Sequence, residues 1–179
     1  SHVGDVLNAV GYIRQKVEVE PAIGIILGSG LGDLVDAVED KVMISYADIP
    51  AFPVSTVKGH QGNLVFGHLG EKPVVLMQGR FHYYEGHPVS KVVMGVRVLG
   101  MLGIKTLFVT NAAGGIGDDL GPGDLMVIRD HINPVGINPG IGEEVPEFGP
   151  RFFDLTFAYD RELIGVSRTV FEEQGVPHK

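Results

Sequence analysis

The run Ala22 to Leu27, apolar throughout and carrying three isoleucines, gives way abruptly to Gly28-Ser29-Gly30-Leu31-Gly32. A strand that is apolar at every position, and not at every second one, has to be covered on both faces, which is the situation of a sheet packed against helices. The rest of the chain supplies the covering elements. Val6, Leu7, Val10, Ile13 and Val17 fall at helical spacing between Val3 and Val19, and Pro21 ends that pattern. Val89 to Leu102 carries Val92, Val93, Val96, Leu99 and Leu102 on one stripe, with Gly103 as a stop. Leu31 to Val38 reads as a short helix, and Asp160 to Gln174 as a longer one with Asp160 as N-cap and Gly175 as stop. Asn63 to Leu69 and Pro73 to Gln78 form a hairpin around Gly70-Glu71, and Thr106 to Thr110 and Leu125 to Arg129 are expected as further buried strands. The Gly- and Pro-rich stretch from Asn133 to Arg151 is a long loop, functional or mobile. This alternation predicts an α/β layered fold. No repeat and no linker divides it, so residues 1–179 are expected to form a single domain.

Composition narrows the function classes. A formal net charge of -8 argues against a nucleic-acid-binding surface, and an anionic ligand must be gripped by local groups against the global field. With no cysteine there is neither a disulfide framework nor a thiolate zinc site, which suits a cytoplasmic protein. No apolar run has the length of a membrane span, and no signal-peptide pattern opens the chain.

Three segments carry chemistry. Gly28-Ser29-Gly30-Leu31-Gly32 lies where a strand passes into a helix, where backbone N–H groups can meet an anion. It is not the dinucleotide fingerprint, because Asp33 stands at the third glycine position, and Leu27 excludes a nucleophile elbow. By itself it could be a plain tight turn. Gln78 to Gly86 follows a strand directly, as sites of open α/β sheets do. Within it Arg80 can grip a phosphate by two parallel N–H bonds. In an extended segment His82 and Tyr84 point the same way as Arg80, and Glu85 could orient a neighbouring imidazole. The alternative is a solvated polar loop with docked aromatics. Asn111-Ala112-Ala113-Gly114-Gly115 leaves room for a flat ligand at another strand end, or is simply a turn of small residues.

Taken in order, "GSGLG", "STVKGHQGNLVFG", "MQGRFHYYEGHP", "VTNAAGG", "GDLMVIRDHIN" and "FGPRFFDLTFAYD" resemble the successive signatures of trimeric purine nucleoside phosphorylases, from about Ile23 to Asp160. The resemblance implies a mixed β-sheet partly closed into a distorted barrel and flanked by helices. It implies phosphorolysis of purine nucleosides to free base and ribose 1-phosphate or its 2-deoxy equivalent, a step of purine salvage. Inorganic phosphate is then a substrate, and no metal or organic cofactor is required. Position by position, it assigns the phosphate site to Ser29, His60, Arg80, His82 and the backbone N–H of Ala112. His60, His82 and Glu85 take catalytic roles, with Glu85 supporting the histidine. Tyr84, Ala113 and Gly114 border the nucleoside, and Phe152 reaches the neighbouring subunit's ribose pocket in a homotrimer. His68, His87 and His131 are expected to be structural. The long loop near Pro134 and Gly142 and the Phe153-Asp154 stretch depart from the family pattern.

The family's purine-recognising glutamate and asparagine fall after Lys179, so the chain is expected to be incomplete and, alone, to hold phosphate without useful turnover. Rival readings remain: methylthioadenosine phosphorylase, disfavoured by the "FHYYEG" run; a water-using nucleosidase, disfavoured by Ser29, Arg80 and His82; and a non-catalytic phosphate- or nucleoside-binding module.

Overall fold

The computed structural model describes residues 1–54 and 62–179. They gather into two compact units, Ser1–Ala112 with Asn138–Gly149, and Ala113–Ile137 with Pro150–Lys179.

The first unit opens with helix α1, His2–Lys16. The Ser1 side chain caps it by accepting from the Gly4 N–H, and Asp5 near its start and Arg14 and Lys16 near its end complement the helix dipole. Its buried face is Val6, Ala9, Val10 and Ile13, whereas Leu7, expected on that face, is exposed. The chain turns extended at Val17, before Pro21 is reached. Strands β1 (Ile23–Leu27), β2 (Glu39–Ser45), β3 (Asn63–Leu69), β4 (Lys72–Gln78) and β5 (Thr106–Val109) form one mixed sheet in the order β2-β3-β4-β1-β5. The pairs β2–β3 and β3–β4 are antiparallel, and β1 runs parallel to both β4 and β5. The expected helix over Val89–Leu102 is split into α2 (Val89–Val92) and α3 (Met94–Met101) at the β-branched Val92-Val93 pair, residues of low helix propensity.

Side chains alternate across the sheet with the two-residue period of strands. Ile26, Leu64, Phe66, Val75 and Met77 face α1 and α3, whose Ile13, Met94, Val98 and Leu99 complete the larger core. Leu27, Val65, Val74 and Leu76 face the opposite way and are covered by Val35 and Val38 from the 3-10 helix Gly32–Ala37 and its end. Thus the expectation of a strand buried on both faces holds for β1, and β3 and β4 share that burial. It fails for β5, where Leu107, Phe108 and Val109 are exposed, because among the described residues this edge strand has β1 as its one neighbour. β2 was not expected at all.

The long loop is partly anchored. Within the first unit Arg97 donates to the Pro139 carbonyl at 3.2 Å and lies over the Phe148 ring, which also meets His2 edge-on.

In the second unit α4 spans Arg161–Glu173, with the Asp160 carboxylate accepting from the Leu163 N–H. It ends as expected at Gly175, which adopts φ +64°. The Gly175 N–H donates to the Glu172 carbonyl and the Val176 N–H to that of Phe171, the paired bonds of a Schellman stop. The expected strand Leu125–Arg129 is reduced to a single parallel bridge between Leu125 and His178.

Phe66 is fully enclosed in the larger core on a central strand. Phe66→Ala should cost about 3–5 kcal/mol of stability. Urea unfolding should show this as a lower midpoint with an unchanged slope.

Candidate functional site

Parallel pairing brings three strand ends to one edge of the first unit. Leu27 lies opposite Gln78, and Ile26 opposite Val109, so β1, β4 and β5 all release their chains at the same edge, where open α/β sheets hold ligands. The residues leaving them are Gly28-Ser29, Gly79 to Glu85, and Thr110 to Ala112.

After β1 the chain makes a tight turn closed by the Leu31 N–H on the Gly28 carbonyl, which leaves Ser29 exposed at its tip. Gly28 cannot be another residue in this geometry. A Cβ there would lie 2.6 Å from both the Asn111 Cα and the Thr110 carbonyl oxygen. After β4 the chain bends at Gly79, with φ +101°, in the left-handed region that favours glycine. Its carbonyl accepts a 2.6 Å bond from the hydroxyl of buried Tyr46, whose ring packs on Phe52 and Phe81. Burial pushes the Tyr46 phenol well above its ordinary range, so it stays a donor.

Arg80 and His82 come together as expected. Arg80 Nε donates to His82 Nε2 at 3.3 Å, and Arg80 Nη1 donates to the Thr110 carbonyl at 2.9 Å. Because Nε2 accepts, the His82 proton sits on Nδ1, which faces Glu85 Oε2 at 3.3 Å. The same carboxylate oxygen accepts the His82 backbone N–H at 2.9 Å. The extended alternation stops at His82, since Tyr83–Glu85 forms one turn of 3-10 helix. That turn swings Tyr84 back so that its ring stacks on His82, with centroids 4.9 Å apart.

Ala112 is exposed at the last position of its segment of the first unit. Ala113, Gly114 and Phe152 belong to the second unit, where all three are exposed and Phe152 is 90% accessible. His60 lies outside the described residues. Of the histidines expected to be structural, His68 and His87 each keep one buried ring nitrogen without a partner among the described residues. His131 Nδ1 meets the Tyr159 hydroxyl at 2.7 Å, and the two rings stack. Among the described residues no three His, Asp or Glu side chains gather as a metal-ligating group.

Two residues escaped the sequence reading. Tyr46 gives no signal in sequence, because its role comes from a contact across 33 positions. In sequence Thr110 is no more than the last residue of an expected strand. Its hydroxyl accepts the Gly28 N–H and donates to the Ile26 carbonyl, both at 2.8 Å.

The His82 backbone N–H, followed by the hydrogen bond from the His82 ring, holds the Glu85 carboxyl below its ordinary value of 4.5 against the opposing effect of burial. A carboxyl whose folded pKa is depressed stabilises the fold above its unfolded pKa, and that stabilisation is lost as pH falls through the folded value. Glu85→Gln should therefore be less stable than the parent at pH 7. The gap between their thermal midpoints should close as pH is lowered below 4.5. A gap that stayed constant with pH would show that the carboxylate charge contributes nothing.

The sequence profile of the phosphorylase superfamily matches residues 22–179. Purine nucleoside phosphorylase 1 of Bacillus subtilis is 49% identical over 169 residues, which cover 94% of this chain and 62% of that protein. Among solved structures, Schistosoma mansoni purine nucleoside phosphorylase in complex with inosine has a TM-score of 0.91 at 42% identity, covering 98% of this chain and 64% of that one. A purine nucleoside phosphorylase in complex with ribose-1-phosphate has a TM-score of 0.90 at 44% identity, covering 98% of this chain and 67% of that one. The chain thus spans about three fifths of the length of the curated relatives it matches. Since the match begins at the strand that carries the glycine turn and runs through every described segment of the site, the chain belongs to the phosphorylase superfamily.

Proposed function

We propose that the protein is a purine nucleoside phosphorylase, and that this chain supplies its phosphate-holding part. The observation that carries the reading is the pairing of Arg80 with His82 and Thr110 at the edge where the Ser29 turn also emerges. Similarity to proteins bound to inosine and to ribose-1-phosphate supports the substrate class. Phosphorolysis passes through an oxocarbenium-like ribosyl cation, as other glycosyl transfers do. What this chain has to do is hold the phosphate dianion beneath the anomeric carbon, where its charge offsets the developing cation.

Arginine has five N–H donors. In Arg80 two of them serve His82 and Thr110, and the rest of the fork serves the phosphate. The Ser29 hydroxyl and the Ala112 N–H add neutral donors, and His60 closes over phosphate and ribose. Glu85 keeps the His82 ring in one orientation, Tyr84 borders the ribose, and Ala113 and Gly114 line the base. Phe152 reaches the ribose pocket of the next subunit in a homotrimer. The chemistry calls for no cofactor. A cytoplasmic location is part of the same proposal and rests on the family resemblance. Among the described residues no helix is long and apolar enough to cross a membrane.

Phosphate-dependent release of hypoxanthine from inosine, by the protein expressed from its complete reading frame, tests the reading. Release without phosphate would indicate a nucleosidase, and binding without release a non-catalytic module. Losing the Arg80 charge-assisted bonds should cost about 1.5–3 kcal/mol. Arg80→Ala should therefore raise the phosphate KM at saturating inosine by roughly tenfold or more. Phe152→Ala should raise the inosine KM more than the phosphate KM, and dilution below the trimer should abolish turnover. A fully active monomer in sedimentation would remove Phe152 from the neighbour's pocket.

A further inference from the structure

We propose that Thr110 is the positioning residue of the phosphate site, fixing the Ser29 turn and the Arg80 guanidinium at a set separation. This rests on the phosphate-site reading above. Thr110 is the first residue past β5, and all of its polar backbone and side-chain groups have partners. Its N–H donates to the Ile26 carbonyl at 3.0 Å, and its hydroxyl donates to the same oxygen at 2.8 Å. The hydroxyl oxygen accepts the Gly28 N–H at 2.8 Å, and the carbonyl accepts Arg80 Nη1 at 2.9 Å.

One residue therefore touches both phosphate-holding segments. Through its side chain it fixes the residue immediately before Ser29. Through its backbone it fixes one arm of the Arg80 fork, and the following two residues lead to the Ala112 N–H. The absence of a Cβ at Gly28 brings the two chains close enough for the hydroxyl to bridge them. A β-branched side chain is stiff at χ1, which narrows the positions open to the bridging oxygen. Valine would fill the same volume, but it can neither donate nor accept, and the Gly28 N–H would lose its acceptor. Serine would keep the oxygen and lose only the methyl group. Arg80 has one further positioning contact at the bend before it, the Tyr46 bond to Gly79, but that bond does not reach the Ser29 turn.

The test compares Thr110→Val and Thr110→Ser in the protein from its complete reading frame, by steady-state kinetics with phosphate and inosine varied separately. Thr110→Val should raise the phosphate KM about five- to tenfold, the net worth of roughly one hydrogen bond, and leave the inosine KM within about twofold. Thr110→Ser should restore the phosphate KM to within about threefold of the parent. Phosphate should also protect the parent and the serine variant against thermal unfolding more than it protects the valine variant. If Thr110→Val does not fold, Thr110→Cys, whose thiol is a weak hydrogen-bonding group, takes its place in the same comparison.

Equal rises in both KM values, or a serine variant no better than valine, would make Thr110 merely structural and overturn the proposal. So would an unchanged phosphate KM in a folded valine or cysteine variant. Turnover by the parent that is independent of phosphate would instead overturn the phosphate-site reading, and this inference with it.

Discussion

The site depends on β1 lying between two parallel neighbours. Strands that run in the same direction release their chains at the same edge, so the registers of β1 with β4 and with β5 set Gly28, Gly79 and Thr110 near one another although they are far apart in sequence. The antiparallel pairs β2–β3 and β3–β4 extend the sheet on one side only. Gly28 then lets the β1 and β5 chains approach more closely than any side chain would allow. A shift of one residue in either parallel register would exchange the faces of the strand and pull these ends apart.

Much of this was legible in the residues because the signals are local. The run Ala22 to Leu27 is apolar at every position, and the hairpin turn Gly70-Glu71 sits between two β-rich runs, so β1, β3 and β4 could be read directly. Asp160 and Gly175 bracket α4 by capping chemistry that acts within a turn of the helix. What could not be read depends on context. β2 opens with Glu39, Asp40 and Lys41, a polar start with a register shift, and its pairing with β3 makes it a strand more than its own composition does. Leu107, Phe108 and Val109 have the composition of a buried strand and are exposed because β5 lies at the edge of the sheet. The contact roles of Thr110 and Tyr46 depend on partners 82 and 33 positions away.

The second motif shows the same division at finer scale. Spacing alone put Arg80, His82 and Tyr84 on one side of an extended chain, and the first two do meet. Tyr84 reaches His82 by another route, through a 3-10 turn that stacks the rings. Glu85 makes that turn possible by bonding both the backbone and the ring of His82. Its side chain, only 5% exposed, is therefore occupied with shaping the loop as well as with orienting the imidazole.

A chain of net charge -8 repels anions at long range, so a phosphate has to be won by short-range groups. The choice of partners around Arg80 suits that need. A guanidinium packed at a strand end is commonly neutralised by a carboxylate, and Glu85 stands only five residues away. That carboxylate is instead directed to His82. Arg80 donates to a carbonyl oxygen and to an imidazole nitrogen, both uncharged acceptors. They fix the direction of the fork without cancelling its charge. A salt bridge at the same place would orient the guanidinium equally well, but an arriving dianion would then have to displace or share its counter-ion. For the phosphate site proposed above, orientation by neutral acceptors leaves the full positive charge of Arg80 to the ligand.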